Sequence, residues 1–182
     1  NNLSFELAHY LLPKKIASYC ELFKKPFLHV SSLGSTFQTK SNYLISKKMG
    51  EEFIENNNTY HIIVRPSTVY GEEDNFINLF GKMAKILPFL PLIKKGKTKF
   101  QPIYVNDLSL LIFNLLNNFD KYKNSNLAAV GNEIFTFKEI LSHIFVSLKK
   151  KERFFYMPSF LAILQGKILE KLPKPLFTYD QY

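Results

Sequence analysis

The chain has 182 residues, 46% hydrophobic and 15% aromatic, so it can bury a core, and this composition excludes a disordered segment. No apolar stretch reaches the ~20 residues needed to span a bilayer, and Cys20, the single cysteine, excludes an internal disulfide. The formal net charge is +9 and comes almost entirely from lysine, which argues against a nucleic-acid site built on arginine.

Hydrophobic periodicity and cap residues predict alternating helices and strands along the chain. After a loop over 1–12, the expected helices cover 13–23, 42–56, 75–86, 106–116, 137–148 and 158–172. The expected strands cover 27–31, 60–65, 99–105, 127–130 and 154–157, with an apolar turn over 87–91. Expected N-caps are Ser41, Asp74 or Asn75, Asn106 and Thr136, the last with Glu139 in a capping box.

The first two strands are apolar without alternation, as strands buried on both faces are. A helix joins them, so we expect parallel neighbours linked by a right-handed crossover. This pattern predicts an α/β fold with a parallel sheet.

Tyr43 and Lys47 lie four residues apart on the helix predicted over 42–56, so both project from one face. An ammonium group near a phenol favours the phenolate and lowers the phenol pKa towards working pH. Ser32, after the preceding strand, could hydrogen-bond the same substrate oxygen. These groups suit proton transfer at a carbinol oxygen beside a nicotinamide. The spacing alone is more typical of a solvated lysine beside a half-buried tyrosine.

The order of segments carries more information than the spacing. A strand ending in Ser31 and Ser32 precedes the Tyr43/Lys47 helix, and the next strand leads into Arg-Pro-Ser-Thr-Val-Tyr-Gly at 65–71. This order resembles the extended and atypical short-chain dehydrogenase/reductase superfamily. The resemblance implies that Tyr43 is the general acid/base, that Lys47 holds the nicotinamide ribose and tunes Tyr43, and that Ser32 orients the substrate. It implies cofactor contacts, to NADP or NAD, from Ser31, Tyr43, Lys47, Pro66, Ser67, Thr68 and Val69.

Within this superfamily, the segments 71–76 and 100–105 are the most specific. Together with 12–17, 97–108 and 172–175 they resemble one branch, the NAD(P)H-binding accessory subunits of respiratory complex I and their alphaproteobacterial relatives. In that branch the catalytic set is often eroded and the nucleotide is structural. Because the Tyr, Lys and Ser are all present here, both a structural and a catalytic role stay open.

The superfamily opens with a strand, a glycine-rich turn and a helix that binds the pyrophosphate. No G-x-x-G-x-x-G or G-x-G-x-x-G pattern occurs here, and the chain starts without methionine. We therefore expect the C-terminal part of a Rossmann-type doubly wound parallel sheet plus a small α/β substrate-side subdomain. Residues 1–71 are interpreted as the second half of the NAD(P)-binding domain. Residues 72–182 are interpreted as a substrate-side or interaction subdomain, interleaved with the last Rossmann elements.

The remaining candidate sites have plainer interpretations. The four histidines lack the spacing of metal ligands, so no metal site is predicted. The lysine runs at 94–99 and 149–151 are interpreted as solvated loops and helix ends, with attraction to anionic lipid or an acidic partner as the alternative. The apolar stripe over 160–172 is interpreted as core, with docking on a membrane surface or larger complex as the alternative.

The leading hypothesis is a dehydrogenase-like accessory subunit of complex I that stabilises the assembly with bound NAD(P)H. The alternative is an active NAD(P)-dependent epimerase, dehydratase or reductase that uses Tyr43, Lys47 and Ser32. We expect other complex I subunits as partners, no nucleic acid and no transmembrane segment. The expected location is the matrix side of the mitochondrial inner membrane, or the cytoplasm or periphery of the inner membrane in a bacterium.

Overall fold

The computed structural model describes residues 4–57 and 60–157. Within these ranges the helices are α1 (Leu12–Leu22), α2 (Asn42–Asn57), α3 (Ile77–Ile86), α4 (Val105–Asn117), α5 (Phe119–Tyr122) and α6 (Phe137–Ser147). The strands are β1 (Phe27–Val30), β2 (His61–Pro66), β3 (Val69–Tyr70), β4 (Leu90–Ile93), β5 (Lys99–Phe100), β6 (Ile103–Tyr104), β7 (Ser125–Ala129), β8 (Phe135–Thr136) and β9 (Phe154–Met157). A π-helical turn covers Leu7–Leu11, and 3-10 turns cover Leu33–Thr36 and Lys94–Gly96.

A parallel sheet of order β1-β2-β7 organises the region that carries the Tyr43/Lys47 helix. Its central strand, β2, has no exposed surface at Ile62, Ile63 or Val64. Burial on both faces explains the unbroken apolar run in the sequence. The predicted parallel pairing of the first two strands is confirmed, with His29 opposite Ile63. The α/β class is therefore confirmed as well.

The chain divides into two compact units, each built from two chain segments. The first lies within Asn1–Ser67 and Ile103–Val130, and it contains the parallel sheet with α1, α2 and α4. Between α1, α2 and β2 its core contains Ala17, Ile54 and Ile63, against which Phe27 and Phe53 pack. This core fixes α2 against the sheet.

The second unit lies within Thr68–Pro102 and Gly131–Tyr182. In its described part, β4 pairs with β9 in parallel and β5 pairs with β8 antiparallel. Its core is formed by residues of α3, β4 and α6, namely Phe80, Ala84, Leu90, Leu92, Ile140, Leu141, Ile144 and Phe145. The capping box predicted at the start of α6 is confirmed, because the Thr136 side chain accepts from the Glu139 N–H and Glu139 bonds back.

The prediction of a loop up to residue 12 is wrong, because helical backbone begins at Phe5. The N–H of Leu12 bonds to the carbonyl of Leu7, which makes a π-helical turn directly before Pro13. A proline inside a regular α-helix would clash with the carbonyl four residues earlier, here His9. The wider π turn lets the helix continue through that proline, which sequence reasoning took as the start of the helix.

Three further predictions need correction. The strand expected over 99–105 is broken at Gln101 and Pro102 into β5 and β6, since proline has no N–H to donate to a sheet. Val105 already belongs to α4, so Asn106 lies inside the helix and is not its N-cap. The apolar turn expected over 87–91 is partly a strand, because β4 starts at Leu90 and pairs with β9.

Other predictions of local structure hold. Ser41 Oγ accepts from the Leu44 N–H at 3.3 Å, so it caps α2 as expected. Asp74 Oδ1 accepts from the N–H groups of Phe76, Ile77 and Asn78 at the start of α3, although Phe76, one or two residues later than expected, occupies the N-cap position. The helix expected over 158–172, with its apolar stripe, lies outside the described residues.

Candidate functional site

Three segments of the first unit carry the site residues predicted from sequence. Ser31 and Ser32 follow β1, Tyr43 and Lys47 lie on α2, and Pro66 and Ser67 end β2 or follow it. The carboxyl ends of neighbouring parallel strands are where ligands bind in open α/β sheets. The two other predicted cofactor contacts, Thr68 and Val69, open the second unit.

The Tyr43 phenol is half-buried and close to the hydroxyl of Ser32. Burial raises the pKa of Tyr43, and a hydrogen bond with Ser32 opposes part of that effect. This result differs from the sequence-based expectation, in which Lys47 lowers the phenol pKa. In this arrangement removal from water outweighs the other influences, so the phenol is protonated at neutral pH.

Lys47 shares a face of α2 with Tyr43, but its ammonium group bonds elsewhere. Lys47 Nζ donates to the carbonyl oxygen of Val30 at 3.2 Å and lies 5.9 Å from the centre of the Tyr43 ring. Burial lowers the pKa of Lys47, and the charge of Glu51 opposes this. The lysine therefore ties α2 to the end of β1.

The Tyr43 ring also packs on the π-helical turn and on the helical residues just before it. The Tyr43 ring centre lies 5.7 Å from that of Phe5 and 5.0 Å from that of His9, both edge-on. His9 Nδ1 lies 3.1 Å from Ser46 Oγ, and burial, then the charge of Lys47, lowers the pKa of His9. Sequence reasoning missed His9 because it placed this residue in a loop.

Gly50 permits this close crossing of the π turn and α2. A Cβ atom added at Gly50 would lie 2.2 Å from the backbone oxygen of His9, which is far inside contact distance. The sequence does indicate a close helix contact here, since Ser46 and Gly50 are small residues four apart on one helix face.

A buried carboxylate lies one helical turn beyond Lys47. Glu51 is 3% exposed, and its Oε2 accepts from Arg65 Nε at 2.9 Å and from an Arg65 Nη at 2.7 Å. Its Oε1 accepts from Ser35 Oγ at 2.7 Å. Burial acts to raise the pKa of Glu51, yet hydrogen bonds from Arg65 and Ser35 hold it below its ordinary value. Sequence reasoning missed this group.

His29 is buried on β1 without a charge partner of its own. Burial, followed by the charge of Lys47, lowers the pKa of His29 to about 4. Its Nε2 and the Ser31 Oγ are buried and have no well-formed hydrogen bond within the described part of the chain. His29 is therefore neutral at physiological pH.

Among residues 4–57 and 60–157, no three His, Cys, Asp or Glu side chains are grouped so that they could hold a metal ion. None of the helices described there is both long and apolar enough to cross a bilayer.

Known proteins similar to this chain cover it almost completely. NADH dehydrogenase [ubiquinone] 1 alpha subcomplex subunit 9 of Mus musculus is 31% identical over 99% of the chain and 48% of its own length. The same subunit of Arabidopsis thaliana is 29% identical over 99% of the chain and 48% of its own length. These complex I subunits are homologues of the chain. The resemblance predicted from sequence is thereby confirmed. The chain spans about half the length of these relatives, and no protein-family model matches it.

Solved structures share the fold of this chain. UDP-glucuronic acid 4-epimerase from Bacillus cereus, in complex with NAD, has a TM-score of 0.72 and 17% identity, covering 85% of this chain and 58% of that chain. dTDP-4-dehydrorhamnose reductase from Bacillus anthracis, in complex with NADP, has a TM-score of 0.71 and 19% identity, covering 84% and 58%. At these identities the likeness shows the fold, which is Rossmann-like.

Proposed function

We propose that the chain belongs to an NAD(P)-binding, dehydrogenase-like accessory subunit of NADH:ubiquinone oxidoreductase, in which the nucleotide stabilises the assembly. One observation carries this proposal. Tyr43, Lys47 and Ser32 converge at the carboxyl end of the sheet, in a chain whose homologues over 99% of its length are complex I subunits.

The donor set fits the nicotinamide ribose half of NADP or NAD. A lysine ammonium, a protonated phenol and a serine hydroxyl are suitable partners for ribose hydroxyls and for a carboxamide. When bound, the nicotinamide supplies a hydride donor or acceptor. We propose that Tyr43, Lys47 and Ser31 contact it, together with the turn after β2, namely Pro66, Ser67, Thr68 and Val69.

The state of Tyr43 favours the structural role over catalysis. Burial raises the pKa of its phenol, and the rings of Phe5 and His9 pack against it. A protonated, packed phenol can donate a hydrogen bond and provide a rigid packing surface for the nucleotide. It is less suited to act as a base at neutral pH.

The alternative function is an active NAD(P)-dependent epimerase, dehydratase or reductase. This function is favoured by the hydrogen bond between Ser32 and Tyr43, because two neighbouring hydroxyls can both hydrogen-bond to a single substrate oxygen. In this alternative Tyr43 donates a proton to the developing alkoxide and Ser32 orients the oxygen.

The homologues' names indicate the partners and location of the whole protein. Both are called mitochondrial subunits of NADH dehydrogenase. We propose other complex I subunits as partners and the matrix side of the inner membrane as the location. In a bacterium the corresponding place is the cytoplasmic side, with peripheral attachment.

The test compares nucleotide binding with assembly of the membrane complex, using the full-length protein. Lys47→Met should weaken NADPH or NADH binding and lower assembly, while Lys48→Met, an exposed neighbour, should change neither. A ligand that binds only the folded state adds about 2.7 kcal/mol at a hundredfold excess over Kd. Tyr43→Phe should leave assembly intact. Normal assembly in Lys47→Met cells without bound nucleotide, together with loss of reductase turnover in Tyr43→Phe, would establish the enzyme instead.

A further inference from the structure

The three segments that carry the candidate site meet at one buried carboxylate. Glu51 lies on α2, four residues after Lys47 and eight after Tyr43, on the same helix face. Its two oxygens bind Arg65, which immediately precedes Pro66 and Ser67, and Ser35 in the 3-10 turn that follows Ser32.

Ser35 extends the connection to the backbone of Ser32. Its Oγ lies 2.7 Å from Glu51 Oε1 and also 2.7 Å from the Ser32 carbonyl oxygen, which accepts the Ser35 N–H at 3.1 Å as well. A hydroxyl carries one proton, so at any moment it donates to one of these oxygens. When the hydroxyl donates to Glu51, the Ser35 N–H still bonds to the Ser32 carbonyl, so in that state the backbone of Ser32 is coupled to Glu51.

Arg65 fixes the third segment. Its guanidinium bonds to Glu51 Oε2 through two nitrogens, at 2.9 and 2.7 Å, and to Glu55 Oε1 at 3.2 Å. Two bonds that converge on one carboxylate oxygen hold the guanidinium in place better than a single bond does. The Asn126 side chain on β7 also bonds to Glu55, so the same network reaches the strand on the other side of β2.

A buried ion pair does not by itself show that the pair stabilises the folded protein. Replacing such a pair by well-packed apolar side chains is often neutral or stabilising, whereas its directional bonds impose one geometry. Here the imposed geometry is the spacing between Ser32, the Tyr43/Lys47 face and the turn after β2.

We propose that Glu51, with Arg65 and Ser35, is a positioning clamp that sets the distance of Ser32 and the Pro66–Ser67 turn from Tyr43 and Lys47. The clamp touches no ligand itself. Its effect on nucleotide affinity rests on the function proposed above, while its effect on the position of the Ser32 loop does not.

Glu51→Gln in the full-length protein is the first test, because it keeps the side-chain shape and removes the charge that binds Arg65. Two measurements are made: the Kd for NADPH and NADH from nicotinamide fluorescence, and amide hydrogen exchange over residues 32–37. We expect Kd to rise by about tenfold or more, since small misplacements of binding groups are costly. We also expect faster exchange confined to 32–37 and to the amide of Ser67.

Two controls separate positioning from general loss of stability. Glu52→Gln changes an exposed carboxylate on the same helix and should match wild type in both measurements. Leu141→Ala lowers stability from the core of the second unit and should leave exchange at 32–37 unchanged. If Glu51→Gln does not fold, Arg65→Lys and Ser35→Ala are measured in the same way, and Ser35→Ala should still loosen 32–37.

The clamp would be overturned if Glu51→Gln had the same Kd and the same amide exchange as Glu52→Gln. It would also be overturned if Ser35→Ala had the same Kd and the same amide exchange as wild type. Exchange that rises across the whole first unit, as in a generally weakened fold, would also overturn it. If wild type binds neither nucleotide, the proposed function fails. The exchange pattern at 32–37 then still decides the clamp.

Discussion

Stability between pH 7 and pH 5 should depend on His29. This imidazole is 8% exposed, and burial followed by the Lys47 charge lowers its pKa to about 4 from the usual 6.5. Between these two values the unfolded chain binds a proton that the folded chain does not. Stability must therefore fall as the pH falls from about 6.5 towards 4, and the full penalty is present below 4.

The magnitude follows from the two pKa values. The whole difference corresponds to roughly 3 kcal/mol, and roughly 2 kcal/mol of it develops between pH 7 and pH 5. Glu51 does not interfere in this window, because its pKa is held below the ordinary carboxyl value and it stays charged.

The assay is urea unfolding of wild type and His29→Gln at pH 7, 6 and 5. The difference in unfolding free energy between the two proteins should change by about 2 kcal/mol in favour of the variant as the pH falls, because glutamine does not titrate. His143→Gln, which alters an exposed histidine, serves as the control and should follow wild type. Parallel curves for wild type and His29→Gln would refute a buried neutral imidazole.

Three further predictions concern local packing. Gly50→Ala should lower the free energy of unfolding by about 1–3 kcal/mol in thermal or urea unfolding, since the added Cβ would meet the His9 carbonyl. Its control, Gly81→Ala, adds a Cβ with nothing within 4 Å and should raise the free energy of unfolding by roughly 0.5–1 kcal/mol. Thr136→Ala should lower stability by about 1 kcal/mol through loss of the N-cap of α6. Lys150→Met should increase amide exchange at the end of α3, because Lys150 Nζ donates to two carbonyl oxygens there, and unchanged exchange would contradict that role.

Sequence reasoning succeeded where one local pattern decides the outcome. The apolar run of β2 reflects burial on both faces, and the four-residue spacing of Tyr43 and Lys47 follows from helix geometry. Sequence reasoning failed where a property depends on contact between two segments that are distant in the sequence. The Glu51–Arg65 pair joins residues 14 apart in sequence, and a buried charge looks like a solvated one until its partner is known. The raised phenol pKa likewise depends on tertiary burial, which the spacing of Tyr43 and Lys47 does not show.

The split of the first unit into two chain segments has a consequence for its synthesis. β2 pairs with β1 on one side and with β7 on the other, yet residues 68–102 and the whole of α4 are made between β2 and β7. At translation rates of about 5–20 residues per second, the open edge of β2 waits on the order of seconds for its second neighbour. During that interval the most apolar strand of the sheet is available to chaperones, and to mispairing with other nascent chains.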